Sequence, residues 1–247
     1  MSKFLSFVIL CIATTVVYET SQGQTRQSYT EGMSSPAVVE SATEALTTTT
    51  ETTQTTDEQL AETAELPYTI SAFDPIMRKV GEEQGYDWRF MSAIAYNESR
   101  FKEDLVSSRG AVGIMQIRPV VARHFNIPVE SLSDTETNIR VAGMLLAELD
   151  DLLNLPASIS EQDRLSIILA SYNAGIGRIH DACRLARSEG ANPHSWADVS
   201  RYLELMADPA YYTRETVHHG KFNGSRQTLG YVREVMKMYN KYCTMAS

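Results

Sequence analysis

The sequence predicts an all-α domain over residues 67–247, preceded by a disordered, threonine-rich stalk over residues 24–66. Apolar residues recur at spacings of three and four in several segments after Tyr68, and no segment shows sustained period-2 alternation. Composition also changes sharply near residue 66. The chain has 247 residues, of which 43% are hydrophobic, and this is enough for one sizeable core.

Composition and charge exclude several classes of protein. The formal net charge is −9 and the sequence has no Lys/Arg-rich run, which argues against a nucleic-acid partner. No interior apolar run reaches roughly 18 residues, so a protein with several membrane spans is excluded. With 13 Gly and 3 Cys, collagen-like and disulfide-dense classes are excluded as well.

The first 23 residues have the pattern of a signal peptide. Lys3 precedes an apolar run of about a dozen residues, which is shorter than a bilayer span. Cleavage after Gly23 would send the protein to the periplasm or the cell envelope. Two alternatives stay open: an uncleaved signal that holds the protein at a membrane, and lipidation at Cys11, which lacks a small residue before it.

Residues 24–66 differ in kind from the rest of the chain. Nine of the fourteen residues from Thr43 to Thr56 are threonine, and residues 24–66 hold eight acids against one arginine. Large apolar side chains are few, so burial cannot offset the entropy cost of ordering. We therefore expect a disordered linker here.

Capping signals predict the first two helices of the domain. Asp74 followed by Pro75 predicts a helix with Asp74 as N-cap and proline in the first turn. Asp87 can cap a second helix, on which Phe90 and Ile94 share an apolar face.

Longer patterns predict the central and C-terminal helices. Asp134 can cap an amphipathic helix whose apolar residues are Ile139, Ala142, Leu146, Leu149 and Leu153. Ser160 and Asp163 resemble a capping box that begins the next helix. Gly175 interrupts the pattern, and two further helices are predicted after it.

One carboxylic acid stands out as a candidate for catalysis. Glu98 lies near the end of the second predicted helix, four residues after Ile94 and on the same side. A carboxyl that faces apolar surroundings has a raised pKa, which suits a general acid. Alone the feature is weak, because most glutamates near helix ends are solvated or paired.

Two other segments carry groups that suit ligand binding. Gly110–Gln116 contains two glycines three apart, which allow close approach of a ligand, followed by an amide. Ser171–Gly175 places a tyrosine and an asparagine at the end of an apolar helix. Taken singly, each is also compatible with an ordinary loop or helix end.

Together these segments resemble the lytic transglycosylases of the soluble lytic transglycosylase (SLT) type. The family patterns are Glu-Ser, then Gly-x-x-Gly-Leu-Met-Gln, then Ala-Tyr-Asn-Ala-Gly. The chain matches them at Glu98-Ser99, at Gly110–Gln116 and at Ser171–Gly175, with Asn138-Ile139 and Tyr231-Val232 as further matches.

The resemblance covers most of the predicted domain, from about Phe73 to Tyr242. Ile114 replaces a leucine and Ser171 replaces an alanine of the family pattern. The stretch from Asp181 to Trp196 is most similar to the membrane-bound type F enzymes. Those enzymes also carry an N-terminal solute-binding-like domain, where this chain has only the stalk, so a ligand-sensing role is in doubt.

The resemblance implies a lysozyme-like (SLT/goose-type) helical fold and a peptidoglycan substrate. It implies cleavage of the β-1,4 bond between N-acetylmuramic acid and N-acetylglucosamine, with 1,6-anhydromuramic acid ends and Glu98 as single acid and base. Glycan strands would be the partner of a monomeric protein without cofactor. A hydrolytic muramidase on the same scaffold and a non-catalytic glycan-binding protein remain alternatives.

Six further residues have chemistry suited to holding a glycan near Glu98: Ser107, Met115, Gln116, Tyr172, Asn173 and Tyr231. The amides suit N-acetyl groups, and Met115 and Tyr172 offer apolar surface to sugar faces. Ser107 and Tyr231 could hydrogen-bond at or near Glu98. For Tyr231 a purely packing role is the alternative.

The remaining chemistry of the sequence is sparse. Glu103 and Asp104 are interpreted as solvated loop charges rather than as a second catalytic carboxylate. No metal-ligand motif is present, since the adjacent His218 and His219 would point apart. The isolated His124, His180 and His194 are interpreted as surface residues. Cys183 and Cys243 are compatible with a disulfide that closes a loop of about 60 residues, or with two separate thiols.

Overall fold

The computed structural model describes residues 68–245, and over this range the protein is helical. No β-strand occurs among these residues, and extended pairing is limited to isolated bridges of Val112 with Val106 and Ile117. The predicted all-α class is therefore confirmed. The predicted signal peptide and stalk, residues 1–23 and 24–66, lie outside the described residues.

The helices follow one another with short connections. They are α1 (Asp74–Gln84), α2 (Trp88–Ser99), α3 (Pro119–His124), a 3-10 helix (Val129–Ser133), α4 (Thr135–Leu153), α5 (Glu161–Ala174), α6 (Ile176–Ser188), α7 (Trp196–Leu205), α8 (Pro209–Tyr212) and α9 (Ser225–Met245). Among the helices of the described part of the chain, none has the length and apolar character needed to span a bilayer.

Three of the predicted helix caps are present. The side chains of Asp87, Asp134 and Ser160 each accept a hydrogen bond from a backbone N–H in the first turn of α2, α4 and α5. The prediction that Asp74 is an N-cap is wrong, because Phe73 holds that position. Asp74 is instead the first helical residue, and its carboxylate accepts from the backbone N–H groups of the preceding turn.

The core is built around α5. Every residue from Leu165 to Ala174 is buried, since α5 packs against α4, α6, α7 and α9. A helix that is buried on all sides is one that other helices surround. The C-terminal end of α5 therefore carries Tyr172 and Asn173 into the interior, where α2 and α9 also pack together.

The two cysteines of the domain do not form a disulfide. Cys183 lies on α6, and its thiol donates to the carbonyl of Pro193 at 3.3 Å. Cys243 lies on α9, where Arg89, Asp87 and Tyr239 surround it. The bridged alternative is therefore wrong, because the two thiols face different neighbours.

Candidate active site

Glu98 lies in the last turn of α2, on the side that faces the core. Phe90, Met91 and Ile94 are buried on this helix, so the same side delivers the Glu98 carboxyl to an apolar interior. The helix ends at Arg100, which adopts a left-handed conformation with φ of 58°. After this sharp end the chain returns to the helix, where Ser99 bonds to the carbonyl of Ile114.

One oxygen of the Glu98 carboxyl is hydrogen-bonded within the protein, and the other is buried. The Tyr231 hydroxyl on α9 donates to Oε1 at 2.8 Å. Oε2 is buried and has no hydrogen-bond partner among residues 68–245. Burial raises the Glu98 pKa to about 8, and the Tyr231 hydrogen bond only partly opposes this shift. Glu98 is therefore protonated at neutral pH, and its Oε2 has no hydrogen bond that a residue of the described range supplies.

Among residues 68–245, no second carboxyl acts on Glu98. Burial and Tyr231 are the causes of the Glu98 pKa shift, and no acid among the described residues contributes to it. Glu103 and Asp104 are exposed, and the Glu103 carboxylate accepts a hydrogen bond from the Thr135 hydroxyl. Their interpretation as solvated loop charges agrees with this placement.

Ser99 attaches the end of α2 to residues 109–117, which we call the glycine loop. Its hydroxyl donates to the carbonyl of Ile114 at 2.8 Å and accepts from the N–H of Lys102 at 3.1 Å. Ser99 is buried, so these bonds fix the loop relative to Glu98.

Asn138, at the start of α4, holds the same loop from the opposite side. Its Oδ1 accepts from the N–H of Met115 at 2.9 Å. Its Nδ2 donates to the carbonyls of Val112 at 2.9 Å and Leu132 at 3.0 Å. Gly113 has φ of 78°, and a Cβ there would lie 2.6 Å from the Asn138 amide. A glycine is therefore required where the loop passes over Asn138.

Three loop residues expected to touch a glycan make contacts within the protein. Gln116 is buried, and its Nε2 donates to the carbonyls of Leu105 and Gly113. Met115 is fully buried. The Ser107 hydroxyl accepts from the N–H of Ala111 at 2.9 Å. In this structure their bonds and packing shape the loop, and their role in substrate binding stays a prediction.

The end of α5 connects the glycine loop to α9. The Tyr172 hydroxyl donates to the carbonyl of Met115 at 2.9 Å. The Thr228 hydroxyl donates to Asn173 Oδ1 at 3.0 Å, while Asn173 Nδ2 is buried without a described partner. Thr228 lies three residues before Tyr231, so both face the site from one side of α9. The structure thus brings Glu98, Tyr172, Asn173 and Tyr231 to one place.

Comparison with known proteins assigns this arrangement to a family. Residues 75–195 match the family described as the transglycosylase SLT domain, and this range contains Glu98, the glycine loop and the end of α5. Residues 75–195 are an SLT domain.

Relatives of this SLT domain are named membrane-bound lytic murein transglycosylase F. The protein from Alteromonas mediterranea is 33% identical over 172 residues, which is 70% of this chain and 35% of that protein. The protein from Haemophilus influenzae is 32% identical over 70% of this chain and 35% of its own length. The chain thus spans about a third of the length of the curated relatives that it matches.

Solved structures of SLT proteins cover a similar part of the chain. An inactive variant of the lytic transglycosylase Slt from Pseudomonas aeruginosa has a TM-score of 0.49 at 20% identity, over 71% of this chain and 25% of that one. The 70 kDa soluble lytic transglycosylase from Escherichia coli has a TM-score of 0.45 at 23% identity, over 70% of this chain and 24% of that one.

Sequence reasoning missed several residues that organise this SLT domain. Thr228 belongs to no motif, although its spacing of three residues from Tyr231 could have placed it on the same side of the last helix. His219 is another such residue, because its Nδ1 lies 3.0 Å from Oδ2 of the fully buried Asp181. Asp181 also accepts from the backbone N–H groups of His218 and His219, which fixes the segment between α8 and α9.

Proposed function

We propose that this SLT domain is a peptidoglycan lytic transglycosylase that uses Glu98 as its single acid and base. The observation that carries the proposal is the Glu98 carboxyl, which is desolvated, hydrogen-bonded to Tyr231 at 2.8 Å and protonated at neutral pH. Glycoside cleavage with two carboxylates needs a second acid on the other face of the sugar. Among residues 68–245 no such acid accompanies Glu98.

In the first step, protonated Glu98 acts as the general acid. Its Oε2, which has no partner within the described range, gives its proton to the β-1,4 oxygen between N-acetylmuramic acid and N-acetylglucosamine. The bond from C1 to that oxygen breaks, and the N-acetyl group of the substrate stabilises the positive charge at C1. Glu98 is then a carboxylate that Tyr231 stabilises by its hydrogen bond.

In the second step, the Glu98 carboxylate acts as the general base. It removes the proton from the C6 hydroxyl of the muramic acid, and the C6 oxygen bonds to C1. The product is a 1,6-anhydro end, and Glu98 regains its proton without consuming water. A pKa of about 8 suits both roles, because the group can give and retake a proton near neutral pH.

The cellular setting of this reaction is also part of the proposal. Peptidoglycan lies outside the cytoplasmic membrane, so the expected signal peptide would place the protein in the periplasm or cell envelope. Glycan strands would be the partner of a monomeric protein. The names of the relatives, which are membrane-bound murein transglycosylases, support an envelope location.

The raised pKa predicts the pH dependence of the reaction. The free enzyme must have Glu98 protonated, so kcat/KM should stay high through neutral pH and fall tenfold per unit above about pH 8. Clearing of peptidoglycan suspensions at constant ionic strength, from about pH 5 to about pH 10, measures this. A falling limb near the ordinary pKa of a glutamate, about 4.3, would contradict the proposed site.

Replacing Tyr231 by Phe should lower kcat and shift the alkaline limb upward. The carboxylate formed in the first step loses a hydrogen bond, and a bond to a charged group contributes about 1.5–3 kcal/mol, which corresponds to roughly a tenfold or larger loss. Because this bond favours the ionised form, the Glu98 pKa rises further without it.

Tyr239→Phe is the matched control for this variant. Tyr239 lies on the same helix and its hydroxyl donates to Asp87 at 3.2 Å, away from Glu98. We expect the alkaline limb of the Tyr239→Phe profile to lie at the same pH as in the parent. An alkaline limb that does not move in Tyr231→Phe would show that the Tyr231 hydroxyl does not act on Glu98.

A further inference from the structure

A cleft of about 320 Å³ adjoins the Glu98 site. Asn173 and Thr228 line it, and these residues neighbour Tyr172 on α5 and Tyr231 on α9. A strand bound at Glu98 would therefore extend past this cleft.

The charges that line the cleft are all positive. Arg109 comes from the glycine loop, Arg178 from α6 and Lys221 from the segment between α8 and α9. None of the described residues that line it is acidic. Cations that gather around one concavity repel each other and create a local field that attracts anions.

The cationic wall of the cleft is held in place before any ligand arrives. Arg178 Nη1 donates to the carbonyls of His219 and Gly220, and its guanidinium lies 5.5 Å from the centre of the Phe222 ring. The N–H of Phe222 donates to the carbonyl of Met206 at 3.0 Å. With Asp181 fixing His218 and His219, the segment is anchored at both sides of Lys221. Such order lowers the entropy cost of binding.

Two donor groups of the cleft, on Lys221 and Asn173, have no acceptor among the described residues. Lys221 is exposed and makes no hydrogen bond or ion pair with any residue of the described range. Asn173 Nδ2 is buried against the cleft and likewise has no partner there. Ammonium, guanidinium and amide donors together match the lone pairs of a carboxylate.

We propose that Arg109, Arg178 and Lys221 form a carboxylate-binding subsite that recognises the acidic substituent on the muramic acid residues of the strand. This inference rests on the proposed function, since it assumes that the Glu98 site binds such strands. Muramic acid carries a lactyl group, which ends in a carboxylate or continues into a peptide with carboxylates of its own. Both sources present the same chemistry to the three cations.

The test measures binding to three kinds of glycan strand. They are peptide-bearing strands, strands stripped by an amidase so that only lactyl carboxylates remain, and stripped strands whose carboxyls are converted to neutral methylamides. Dissociation constants are measured by titration calorimetry in a Glu98→Gln background, so that no strand is cleaved. The tested change is Arg109→Gln with Lys221→Gln, two exposed residues whose replacement leaves the core intact.

The proposal predicts a selective loss of affinity. The double variant should bind one or both carboxylate-bearing strands about 3- to 10-fold more weakly and the neutral strand unchanged, as expected for two exposed charge pairs. Loss with the peptide-bearing strand alone identifies the peptide carboxylates, and equal loss with the stripped strand identifies the lactyl group. Added salt should remove the difference in affinity between the parent and the double variant.

A matched control distinguishes the effect of the charges that line the cleft from the effect of the protein's overall charge. Lys237→Gln with Lys241→Gln removes two exposed charges of α9 that do not line the cleft, and it should leave all three dissociation constants unchanged. Unchanged binding of the carboxylate strands, or an equal loss on the neutral strand, would overturn the subsite alone. If the parent binds no strand, the proposed function and the subsite fall together.

Discussion

The Glu98→Gln variant is expected to lose activity on peptidoglycan by a factor of about 10²–10⁴, because it keeps the shape of the side chain and removes the transferable proton. Glutamine can still accept the Tyr231 hydrogen bond, which is 2.8 Å long in the parent. The rate of clearing of a peptidoglycan suspension, at equal protein concentration, measures the loss.

The stability of the same variant serves as its control. In the folded parent Glu98 holds its proton up to about pH 8, whereas the unfolded chain releases it near the ordinary pKa of glutamate. Stability that the neutral carboxyl contributes is therefore complete at low pH and is lost as pH rises towards 8. The melting temperature of Glu98→Gln relative to the parent should thus increase across this window.

Two results would contradict this account of Glu98. One is a variant that clears suspensions as fast as the parent. The other is an inactive variant that has also lost its folded structure at low pH, where the parent and the variant should be equally stable. Inactivity with an intact fold and a relative stability that rises with pH is the expected combination.

Replacing Asn138 by Ala should give the largest loss of stability of any single polar substitution discussed. The side chain is fully buried and makes three hydrogen bonds, to the N–H of Met115 and to the carbonyls of Val112 and Leu132. Its removal leaves these backbone groups buried without partners and opens a void, at a cost of about 3–5 kcal/mol. For a domain of this size the melting temperature should fall by about 10 °C.

Thermal unfolding followed by circular dichroism measures this effect. Asn240→Ala is the control, since Asn240 is exposed on α9 and should leave the melting temperature nearly unchanged. If Asn138→Ala melted within about 2 °C of the parent, Asn138 would not hold the glycine loop. Activity should fall together with stability, because this loop carries the Met115 carbonyl that fixes Tyr172.

Local chemistry made much of the fold predictable. The caps at Asp87, Asp134 and Ser160 depend on a side chain and an N–H two or three residues later, so the sequence contains the whole interaction. The placement of Glu98 on the buried side of α2 follows from helical periodicity in the same way. Asp74 failed as a cap because its carboxylate bonds to N–H groups that precede it.

The interior of the site was less predictable, because it depends on contacts between distant segments. The Tyr231 hydroxyl meets Glu98 across 133 positions of sequence, a contact that the family resemblance led us to expect and that no local pattern indicates. Gln116 adopts φ of 51°, and its amide donates to the carbonyls of Leu105 and Gly113. Backbone conformation in a loop decides where a side chain points, and residue type alone does not reveal it.

The charged cleft was also difficult to predict from the sequence. Arg109, Arg178 and Lys221 lie in three separate segments, and each alone looks like an ordinary exposed charge. Only the packing of α6 and the anchoring of the segment before α9 by Asp181 bring them around one cleft.

Mass spectrometry of the products from purified peptidoglycan tests the central claim most directly. A lone Glu98 that serves as acid and then as base predicts muropeptides with 1,6-anhydromuramic acid ends, each lighter by one water than the corresponding reducing product. Reducing muramic acid ends from the active protein would contradict this account, because they form when a water, and not the C6 hydroxyl, attacks C1.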